Sequence, residues 1–332
     1  MADVKGSVLV TGGAGFIGSH LCERLLADGH RVIALDNFIT GRKENLKPLY
    51  DYERFRFIHH DITERLELNE DVSHIFHLAS PASPVYYQWY PLQTALVNSV
   101  GTKNLLDLTL GGNTKFLLAS TSEVYGDPDV HPQVESYWGN VNPTGFRSCY
   151  DEGKRFAESL SAIYAREFGS DVVITRIFNT YGPKMRKDDG RVISNFVTQA
   201  LDEEPITVYG TGRQTRSLCY VSDMIDGLMT IMFGETESCE VFNLGNPHEV
   251  TMRQLAETIK ELTGSSSKIV CKPLPEDDPR RRKPDITKIC DRLGWRPNVA
   301  LKDGLAQTIE WFQQRSTVSN HKPQRQLKKV RL

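Results

Sequence analysis

The stretch Thr11-Gly12-Gly13-Ala14-Gly15-Phe16-Ile17-Gly18 decides the fold class of this chain of 332 residues. It follows the apolar run 7–11, opens an amphipathic segment, and carries the Gly-x-Gly-x-x-Gly spacing at Gly13, Gly15 and Gly18. Glycines at these positions permit a tight turn and let a pyrophosphate reach the backbone, while the N-terminus of the next helix offers N–H donors. The stretch therefore predicts a strand, a phosphate-binding turn and a helix; a glycine turn without a nucleotide is the alternative.

Strand-like and helical segments alternate along the first half of the chain. The predicted strands are 7–11, 31–36, 55–58, 74–79, 115–120 and 172–178, and the predicted helices are 16–28, 91–110 and 151–168. This alternation predicts βαβ units with a parallel sheet. Because such crossovers are right-handed, the expected fold is α/β, a Rossmann-type doubly wound parallel sheet.

The rhythm changes after about residue 180. Short strands are predicted at 206–209, 241–244 and 268–271, and helices at 192–201, 252–262 and 301–313. We expect a smaller mixed α/β lobe that binds the substrate and packs over the carboxyl edge of the sheet. The expected division is a Rossmann domain over mainly 1–180, the lobe over mainly 181–316 with some chain crossing back, and a basic, disordered tail at 317–332.

Composition and charge narrow the class of protein. Hydrophobic residues make up 39% of the chain, and 40 Lys and Arg against 42 Asp and Glu give a formal net charge of −2. This balance argues against a nucleic-acid-coating surface, and no apolar run reaches the ~20 residues of a membrane span. The six cysteines form no Cys-x-x-Cys and no metal-ligand cluster, which predicts reduced thiols and no metal. A soluble, cytoplasmic protein is expected, because the chain begins without a signal peptide.

Acidic residues follow the second and third predicted strands, where a dinucleotide would continue beyond the glycine turn. Asp36 ends the second strand, and its carboxylate can bind the hydroxyls of the adenosine ribose. A 2′-phosphate would be repelled there, so NAD is favoured; Arg42 and Lys43 leave NADP open. Asp61 and Ile62 follow the third strand, where the adenine ring is expected.

A tyrosine and a lysine provide the candidate acid–base pair. Tyr150 and Lys154 are spaced i, i+4 on one helix face, while Thr121, Ser122 and Glu123 follow the fifth predicted strand, at the edge of the sheet where ligands bind. Oxidising a secondary alcohol requires a base, and a Tyr with a pKa near 10 needs a shift of ~3 units, or ~4 kcal/mol, to serve near neutrality. A Lys ammonium and a positive nicotinamide can supply it. Thr121 is expected to donate a hydrogen bond to the reacting oxygen; ordinary helix and loop positions are the alternative.

Longer strings resemble the extended short-chain dehydrogenase/reductase family over about residues 8–312, and within it the UDP-glucuronate decarboxylases. The strings that carry this resemblance are HLASPASP at 77–84, STSEVYGDP at 120–128, CYDEGKR at 149–155, IFNT at 177–180, DGRV at 189–192, QTR at 214–216 and RKPD at 282–285. The resemblance implies NAD as cofactor and UDP-glucuronate as substrate. Together with the glycine turn, it places cofactor contacts at Gly12, Gly15, Phe16, Ile17, Gly18, Asp36, Asn37, Asp61, Ile62, Leu78, Ala79, Ser80, Tyr150 and Lys154.

The reaction that the resemblance implies is redox-neutral. NAD⁺ takes a hydride from C4 of the sugar while Tyr150 takes the hydroxyl proton; CO₂ leaves, C5 is reprotonated, and the hydride returns to C4, giving UDP-xylose. Glu123 and Arg216 resemble the residues that handle the carboxylate and the C5 proton in decarboxylases, and a Glu facing the substrate carboxylate would help to expel CO₂. Ser122 stands where similar 4,6-dehydratases carry an Asp that protonates the departing hydroxyl, so this position favours decarboxylation.

The resemblance also places the nucleotide end of the substrate. Positions similar to the family's UDP contacts are Asn179, Arg191, Asn195, Tyr209, Gln214, Arg216 and Arg282. Arginine suits a diphosphate because its planar fork binds two oxygens together; a surface salt bridge is the alternative reading of each arginine.

One departure and one expected partner complete the resemblance. Decarboxylase relatives usually carry two lysines in the helix after the His-Leu-Ala-Ser string, where this chain reads QTALVN at 93–98. The loss of positive charge predicts weaker binding of glucuronate or an altered hold on the product. Relatives form dimers through helices that begin near Pro91 and Asp151, so a homodimer is expected.

Two alternatives to decarboxylation stay open from the sequence. The first is a related NAD-dependent sugar-nucleotide enzyme that stops at the 4-keto stage, epimerises or dehydrates. The second is a catalytically silent regulator that binds a nucleotide sugar on the same scaffold. Intact Thr121, Tyr150 and Lys154 argue against the regulator, because a sensor needs no base.

Overall fold

A parallel sheet flanked by helices forms the framework in the computed structural model, which describes residues 6–111, 113–273 and 281–316. The strands of these residues are β1 (Ser7–Thr11), β2 (Val32–Asp36), β3 (Phe55–His59), β4 (Val72–His77), β5 (Lys115–Thr121), β6 (Val172–Ile177), β7 (Thr180–Tyr181), β8 (Ile206–Tyr209), β9 (Thr215–Ser217), β10 (Cys219–Tyr220), β11 (Glu240–Leu244), β12 (Glu249–Thr251), β13 (Ile269–Lys272) and β14 (Arg281–Arg282). The α-helices are α1 (Phe16–Ala27), α2 (Pro84–Trp89), α3 (Pro91–Leu96), α4 (Thr102–Leu106), α5 (Ser148–Phe168), α6 (Val192–Leu201), α7 (Val221–Phe233), α8 (Met252–Thr263), α9 (Thr287–Leu293) and α10 (Leu301–Ser316). The tail predicted at 317–332 lies outside the described residues.

The main sheet contains seven strands in the order β3-β2-β1-β4-β5-β6-β11. Every neighbouring pair is parallel, so the carboxyl ends of all these strands meet at one edge. The strand order reverses at β1, between β2 and β4, and in a doubly wound sheet this point opens a crevice for a ligand. The predicted Rossmann-type α/β fold is confirmed.

Helices cover both faces of the sheet because its inner strands are apolar on both sides. Val8 and Val10 of β1 pack in the core cluster that includes Leu21 of α1, whereas Leu9 packs with Leu105 of α4. Alternate residues of a strand point to opposite faces, so one continuous apolar run contributes to two cores. Burial of each such side chain stabilises the fold by about 1.5–3 kcal/mol.

The helix predicted at 91–110 is divided rather than continuous. A π-helical turn at Val97–Gly101 separates α3 from α4. Asn98 is buried in this turn and donates to Ser80 Oγ at 3.0 Å and to Thr94 O at 2.8 Å. The wider turn thus brings a polar side chain to the loop after β4, a constraint that apolar periodicity does not reveal.

The second half of the chain contributes to both parts of the molecule. β11 pairs with β6 at the edge of the main sheet, and α7 packs against α1. Sequence periodicity does not predict α7, because apolar residues cover most of the helix and Ser222, Asp226 and Thr230 leave only a narrow polar stripe. In the smaller lobe, β12, β9 and β14 form one sheet, β8 pairs with β13, and α6 packs on α8.

Three further observations concern the described part of the chain. None of its helices is long and apolar enough to span a membrane. No cluster of three or more His, Cys, Asp or Glu side chains within it is arranged to hold a metal ion. Its six cysteines are free thiols.

Candidate active site

One cavity of about 720 Å³ lies at the carboxyl edge of the main sheet, where the Rossmann loops meet the lobe. Its walls come from the turn after β1, from the loops after β2, β3, β4, β5 and β6, and from β8, β9 and β14. The residues predicted for catalysis, cofactor binding and substrate binding all line it: Gly12, Gly15, Phe16, Ile17, Gly18, Asp36, Asn37, Asp61, Ile62, Leu78, Ala79, Ser80, Thr121, Ser122, Glu123, Tyr150, Lys154, Asn179, Arg191, Asn195, Tyr209, Gln214, Arg216 and Arg282. The fold therefore brings these distant positions to a single site.

The glycine turn after β1 forms one wall of the cavity. Gly12 has a φ of +71°, a conformation that glycine adopts without strain. A Cβ on Gly13 would lie 2.7 Å from the Ala34 Cβ, and one on Gly18 would overlap the Gly12 carbonyl oxygen, so strand, turn and helix pack closely only without side chains. Gly15 precedes α1 and adds no side-chain cap. The N–H groups of the first helical turn therefore suit an anionic ligand.

Asp36 ends β2 beside this turn, and backbone donors hold its buried carboxylate. Its Oδ2 accepts from the Ala14 N–H at 3.0 Å and its Oδ1 from the Phe38 N–H at 2.7 Å. Burial raises the pKa of Asp36, and these hydrogen bonds partly offset that effect. Asn37 donates to Asp61 Oδ2 at 2.9 Å, so both predicted acidic positions lie in adjoining loops.

Tyr150 and Lys154 are buried in the first turns of α5. The Tyr150 ring stacks on the Tyr87 ring, with centroids 5.2 Å apart and planes 4° apart, and Lys154 Nζ donates to the Ala119 carbonyl at 2.8 Å. Burial raises the pKa of Tyr150, while a hydrogen bond with Thr121 acts in the opposite direction. Burial lowers the pKa of Lys154 to about 7. The charge of Arg191 also lowers the pKa of Tyr150, but burial has the larger effect. A positively charged ligand beside Tyr150 would favour the phenolate further.

Glu123 lies between two arginines in the 3-10 helix that follows β5. Arg282 binds its Oε1 and Arg147 binds its Oε2. Burial alone would raise the pKa of Glu123, but the two guanidinium charges and their hydrogen bonds lower it to about 2. Asp151 lies 3.8 Å from Arg147 Nε, and burial and the Glu123 charge raise the pKa of Asp151 to about 7. Glu123 is therefore ionised at neutral pH in a cluster with an excess of positive charge.

The resemblance gives both Glu123 and Arg216 roles toward the substrate, and the structure brings a different arginine, Arg282, to Glu123. Arg216 and Arg282 are in register on the parallel neighbours β9 and β14. Arg216 Nη1 donates to the Thr215 carbonyl at 2.9 Å, and its side chain lines the same cavity. Its role toward the substrate carboxylate or C5 stays a prediction.

The other predicted substrate residues lie in two parts of the cavity. Arg191 pairs with Asp189, and its guanidinium lies 6.0 Å from the centroid of the Phe16 ring, next to α1. In the lobe, Gln214 Nε2 donates to the Tyr209 carbonyl at 2.6 Å. Arg191 thus borders a predicted cofactor residue, while Gln214 and Tyr209 line the wall that the lobe contributes.

Comparisons with known proteins agree with this geometry. The family model described as GDP-mannose 4,6 dehydratase matches residues 9–308. The chain is 56% identical over 308 residues to UDP-glucuronic acid decarboxylase 4 of Arabidopsis thaliana, with 93% of this chain and 69% of the relative covered. It is 52% identical over 305 residues to UDP-glucuronic acid decarboxylase 1 of Xenopus tropicalis, with 92% of this chain and 72% of the relative covered. The chain belongs to the UDP-glucuronic acid decarboxylases of the extended short-chain dehydrogenase/reductase family.

Solved structures outside this decarboxylase family share the fold. UDP-glucose 4-epimerase of Thermotoga maritima, solved with UDP-glucose, has a TM-score of 0.85 and 32% identity, covering 93% of this chain and 99% of that chain. A dTDP-glucose 4,6-dehydratase of Streptomyces venezuelae, with NAD and TYD bound, has a TM-score of 0.83 and 31% identity, covering 94% of this chain and 98% of that chain. UDP-glucuronic acid 4-epimerase of Bacillus cereus, in complex with UDP-glucuronic acid and NAD, has a TM-score of 0.82 and 28% identity, covering 93% and 99%. Epimerases and dehydratases share this fold, so the side chains of the site decide the reaction.

Sequence reasoning missed two residues of this decarboxylase-family site. Arg147 binds Glu123, and Tyr87 stacks on Tyr150. The helix predicted at 151–168 starts too late, because α5 begins directly after Arg147. The i, i+3 spacing of Arg147 and Tyr150 in an earlier-starting helix was the available signal. Tyr87 approaches from α2, and no sequence pattern indicated that it would contact Tyr150.

The place where decarboxylase relatives usually carry lysines also belongs to the cavity wall. Gln93 and Leu96 of α3 line it in this chain. Positive charge elsewhere on the described wall comes from residues that include Arg147 and Arg282. This part of the wall therefore carries no lysine at Gln93 or Leu96, while Arg147 and Arg282 supply positive charge around Glu123.

Proposed function

We propose that the protein catalyses the NAD-dependent decarboxylation of UDP-glucuronate to UDP-xylose and CO₂ through a 4-keto sugar nucleotide. Family membership supports this reaction, since relatives of 51–56% identity are named UDP-glucuronic acid decarboxylases. The observation that carries the proposal is the placement of the Arg147–Glu123–Arg282 cluster in the same cavity as Thr121 and Tyr150. Oxidation at C4 followed by loss of the neighbouring carboxylate requires an alcohol-oxidising pair beside a carboxylate-handling cluster.

The first wall of the cavity fits NAD. The close packing at Gly13 and Gly18 leaves the N-terminus of α1 for the diphosphate, and Asp36 offers carboxylate oxygens to the ribose hydroxyls and disfavours a 2′-phosphate. Asp61 and Ile62 line the part expected for the adenine ring. Bound there, NAD would supply the hydride acceptor for oxidation at C4 and the hydride donor for the final reduction at C4. Binding of NAD rather than NADP follows from the charge of Asp36.

Tyr150 is the proton acceptor and later the proton donor at the C4 oxygen. The proton that leaves the C4 hydroxyl during oxidation passes to the Tyr150 oxygen and returns when the ketone is reduced, so this residue ends the cycle unchanged. Positive charge brought by the ligand counteracts the burial that raises the pKa of Tyr150. Thr121 donates a hydrogen bond to the reacting oxygen. The hydrogen bond from Lys154 Nζ to the Ala119 carbonyl holds the lysine side chain in place.

The arginine cluster acts at the carboxylate end. Loss of CO₂ breaks the C5–C6 bond and leaves its electron pair on C5 and the 4-keto oxygen, and a proton then adds at C5. Arg147 and Arg282 attract the sugar carboxylate, while the charge of Glu123 keeps them from stabilising it fully. Conversion of that carboxylate to neutral CO₂ relieves its repulsion from Glu123, so the interaction favours the transition state over the bound substrate.

Ser122 supports decarboxylation over dehydration. It is buried in the 3-10 helix after β5 and lines the cavity where dehydratases similar to this chain carry an Asp. A serine hydroxyl is a far weaker acid than a carboxylic acid and cannot protonate a departing hydroxyl efficiently. Decarboxylation requires no acid there.

The test is incubation of the purified protein with UDP-glucuronate, without added cofactor, followed by identification of the products. We expect UDP-xylose and CO₂ in equal amounts, and Tyr150→Phe should lose turnover by ~10²–10⁴-fold. Tyr220→Phe is the matched control, because the Tyr220 hydroxyl binds Gln307 and lies outside the cavity. A released 4-keto pentose with net NADH, an epimer of the substrate, or binding without turnover would each contradict the proposal and favour a different member of the fold.

We also propose that the protein is a homodimer through α3 and α5. These neighbouring helices and the π-helical turn after α3 expose apolar side chains: Leu92 (56% exposed), Leu96 (39%), Val100 (42%), Phe156 (51%) and Ile163 (38%). Exposed apolar side chains grouped on neighbouring helices are costly in water and are typical of a protein–protein interface. A second copy of the same surface would cover it by twofold symmetry.

We propose that the protein is cytoplasmic, because its cysteines are free thiols. Cys22 and Cys219 are buried and free, and burial raises the pKa of both, as suits unreactive thiols in a reducing compartment. Fractionation of cells that express the tagged chain would test this; recovery in a secretory fraction would contradict it.

A further inference from the structure

Residues 182–191 connect β7 to α6 and cross the carboxyl edge of the main sheet; we call this segment the strap. Several of its side chains line the cavity, among them Lys184, Arg186 and Arg191. The proposed catalytic steps use none of the strap residues 183–189. Side-chain and backbone contacts fasten the strap to three Rossmann elements, which are α1, the loop after β2, and α2.

The first end of the strap is fastened to α1. His20 Nε2 donates to the Pro183 carbonyl at 3.0 Å, and Lys184 forms an ion pair with Glu23 at 2.6 Å. Lys184 has a φ of +68°, a left-handed conformation that a side-chain-bearing residue rarely adopts without support. These contacts fix the strap on the helix whose N-terminus faces the proposed diphosphate site.

The middle of the strap is fastened by Arg186. Its Nε and Nη2 bind the two carboxylate oxygens of Asp188, each at 2.9 Å, which holds the guanidinium plane in one orientation. That plane lies 4.8 Å from the centroid of the Tyr86 ring, and Tyr86 is buried on α2. Arg186 Nη1 also donates to the Thr40 carbonyl at 3.4 Å. One side chain thus connects the strap to the loop after β2 and to α2.

The far end of the strap packs against α2 and returns to α1. A Cβ on Gly190 would overlap Val85 Cγ2, so the backbone approaches α2 as closely as glycine permits. Arg191 pairs with Asp189, and its guanidinium faces the Phe16 ring at the start of α1. Both ends and the middle are therefore held.

We propose that the strap encloses the dinucleotide and that Arg186 is the positioning residue that keeps the strap closed. This inference rests on the proposed NAD-dependent function. The strap is fastened to α1 and to the loop after Asp36, which adjoin the proposed diphosphate and ribose contacts. It is also fastened to α2, which follows the predicted cofactor residues Leu78, Ala79 and Ser80 along the chain. A cofactor held between these elements and the strap can leave only when the strap opens. A redox-neutral cycle never exchanges its cofactor, so slow release does not limit turnover.

The test measures how fast the cofactor leaves the intact protein. Wild-type protein loaded with NADH is mixed with a large excess of NAD⁺, and the fall in NADH fluorescence gives the dissociation rate. Arg186→Ala should release NADH at least about tenfold faster, as expected for loss of a partly desolvated cation–π contact and a planar fork. Its turnover should return to the wild-type value at saturating added NAD, because the contacts of Arg186 are with Asp188, Tyr86 and Thr40 and not with Thr121, Tyr150 or Lys154.

Two further variants separate this role from a general loss of structure. Arg253→Ala removes an exposed arginine of α8 that pairs with Glu257 at 3.2 Å, and it should release NADH at the wild-type rate. Arg186→Lys keeps the charge but loses the planar fork. It should release NADH faster than the wild type but less than about tenfold faster, a result that does not depend on the folding of the alanine variant. Folded Arg186 variants that release NADH as slowly as the wild type would overturn the strap proposal alone. Wild-type protein that binds no NADH would overturn the proposed function as well.

Discussion

Lys154 is an ionisable residue placed where its charge is disfavoured. Burial lowers its pKa from 10.5 to about 7, so between these values the folded protein binds fewer protons than the unfolded chain. The free energy of unfolding therefore rises with pH across this interval, and the full penalty of burying the ammonium is present below about pH 7.

Lys154→Met should consequently stabilise the cofactor-free protein most at low pH. We expect a higher melting temperature than that of the wild type below about pH 7, and an advantage that shrinks as pH rises toward 10.5. Thermal unfolding of both proteins over this range measures the effect. An advantage that is the same at every pH would show that the buried charge is not its cause.

Glu123 illustrates the opposite case, a carboxylate whose charge the fold requires. Its pKa falls from 4.5 to about 2, so the stability that it contributes is complete above pH 4.5 and is lost as pH falls toward 2. Glu123→Gln leaves two buried guanidinium groups without their carboxylate and should lower the free energy of unfolding by about 3 kcal/mol at neutral pH. Denaturant titrations should show this difference shrinking as the pH falls below 4.5.

A matched substitution distinguishes the buried cluster from an ordinary ion pair. Glu257→Gln removes the exposed partner of Arg253 on α8, and exposed pairs contribute ~0.2–1 kcal/mol. Equal losses in the free energy of unfolding for Glu123→Gln and Glu257→Gln would contradict the view that the two arginines make Glu123 more important than an exposed ion-pair partner. Full decarboxylation by Glu123→Gln would likewise remove its role in expelling CO₂.

At the scale of elements, the junction of β1 and α1 depends on a missing side chain. An added Cβ on Gly18 would overlap the Gly12 carbonyl oxygen, so Gly18→Ala should displace the start of α1, lower the melting temperature and abolish retention of NAD during gel filtration. In Gly264→Ala the added Cβ meets nothing within 4 Å, and only the φ of +66° is strained. That control should lose about 1 kcal/mol of stability and keep its cofactor. Equal cofactor content in both variants would contradict this view of the turn.

The elements that sequence could predict are those with a clear period or a local signal. The strands 7–11 and 206–209 and the helix 192–201 have the predicted limits, because apolar runs and helical periodicity determine them. The π-helical turn at Asn98 and the nearly all-buried α7 were not predictable in this way. Each depends on contacts with a distant segment, which one sequence window does not contain.

The candidate site shows the same limit. Spacing places Tyr150 and Lys154 on one face and puts the glycine turn after a strand, and all these residues line one cavity. The partners of Glu123 could not be read from spacing, because Arg282 is 159 residues away in sequence. The pairing of β14 with β9 and the backbone contacts of Lys283 and Asp285 with Gln133 bring it to the cavity.

At the scale of the whole molecule, the exposed apolar face of α3 and α5 predicts the oligomeric state. Phe156→Glu places a charge in the proposed interface and should weaken the dimer by at least about 2 kcal/mol, or about thirtyfold. Tyr50→Glu is the control, since Tyr50 is 59% exposed outside these two helices. Sedimentation velocity should show a dimer for the wild type and the control and a monomer for Phe156→Glu. A monomeric wild type would contradict the proposed dimer.

In the proposed catalytic cycle, the hydrogen removed from C4 returns to C4, and solvent supplies the hydrogen at C5. The most direct measurement is isotope tracing, in which the protein converts UDP-glucuronate deuterated at C4 in ordinary water, and unlabelled UDP-glucuronate in D₂O, without added cofactor. We expect UDP-xylose that keeps its deuterium at C4 in the first reaction and carries one deuterium at C5 in the second. Loss of the C4 label to solvent or to released cofactor, or UDP-xylose without deuterium at C5, would contradict the redox-neutral decarboxylation.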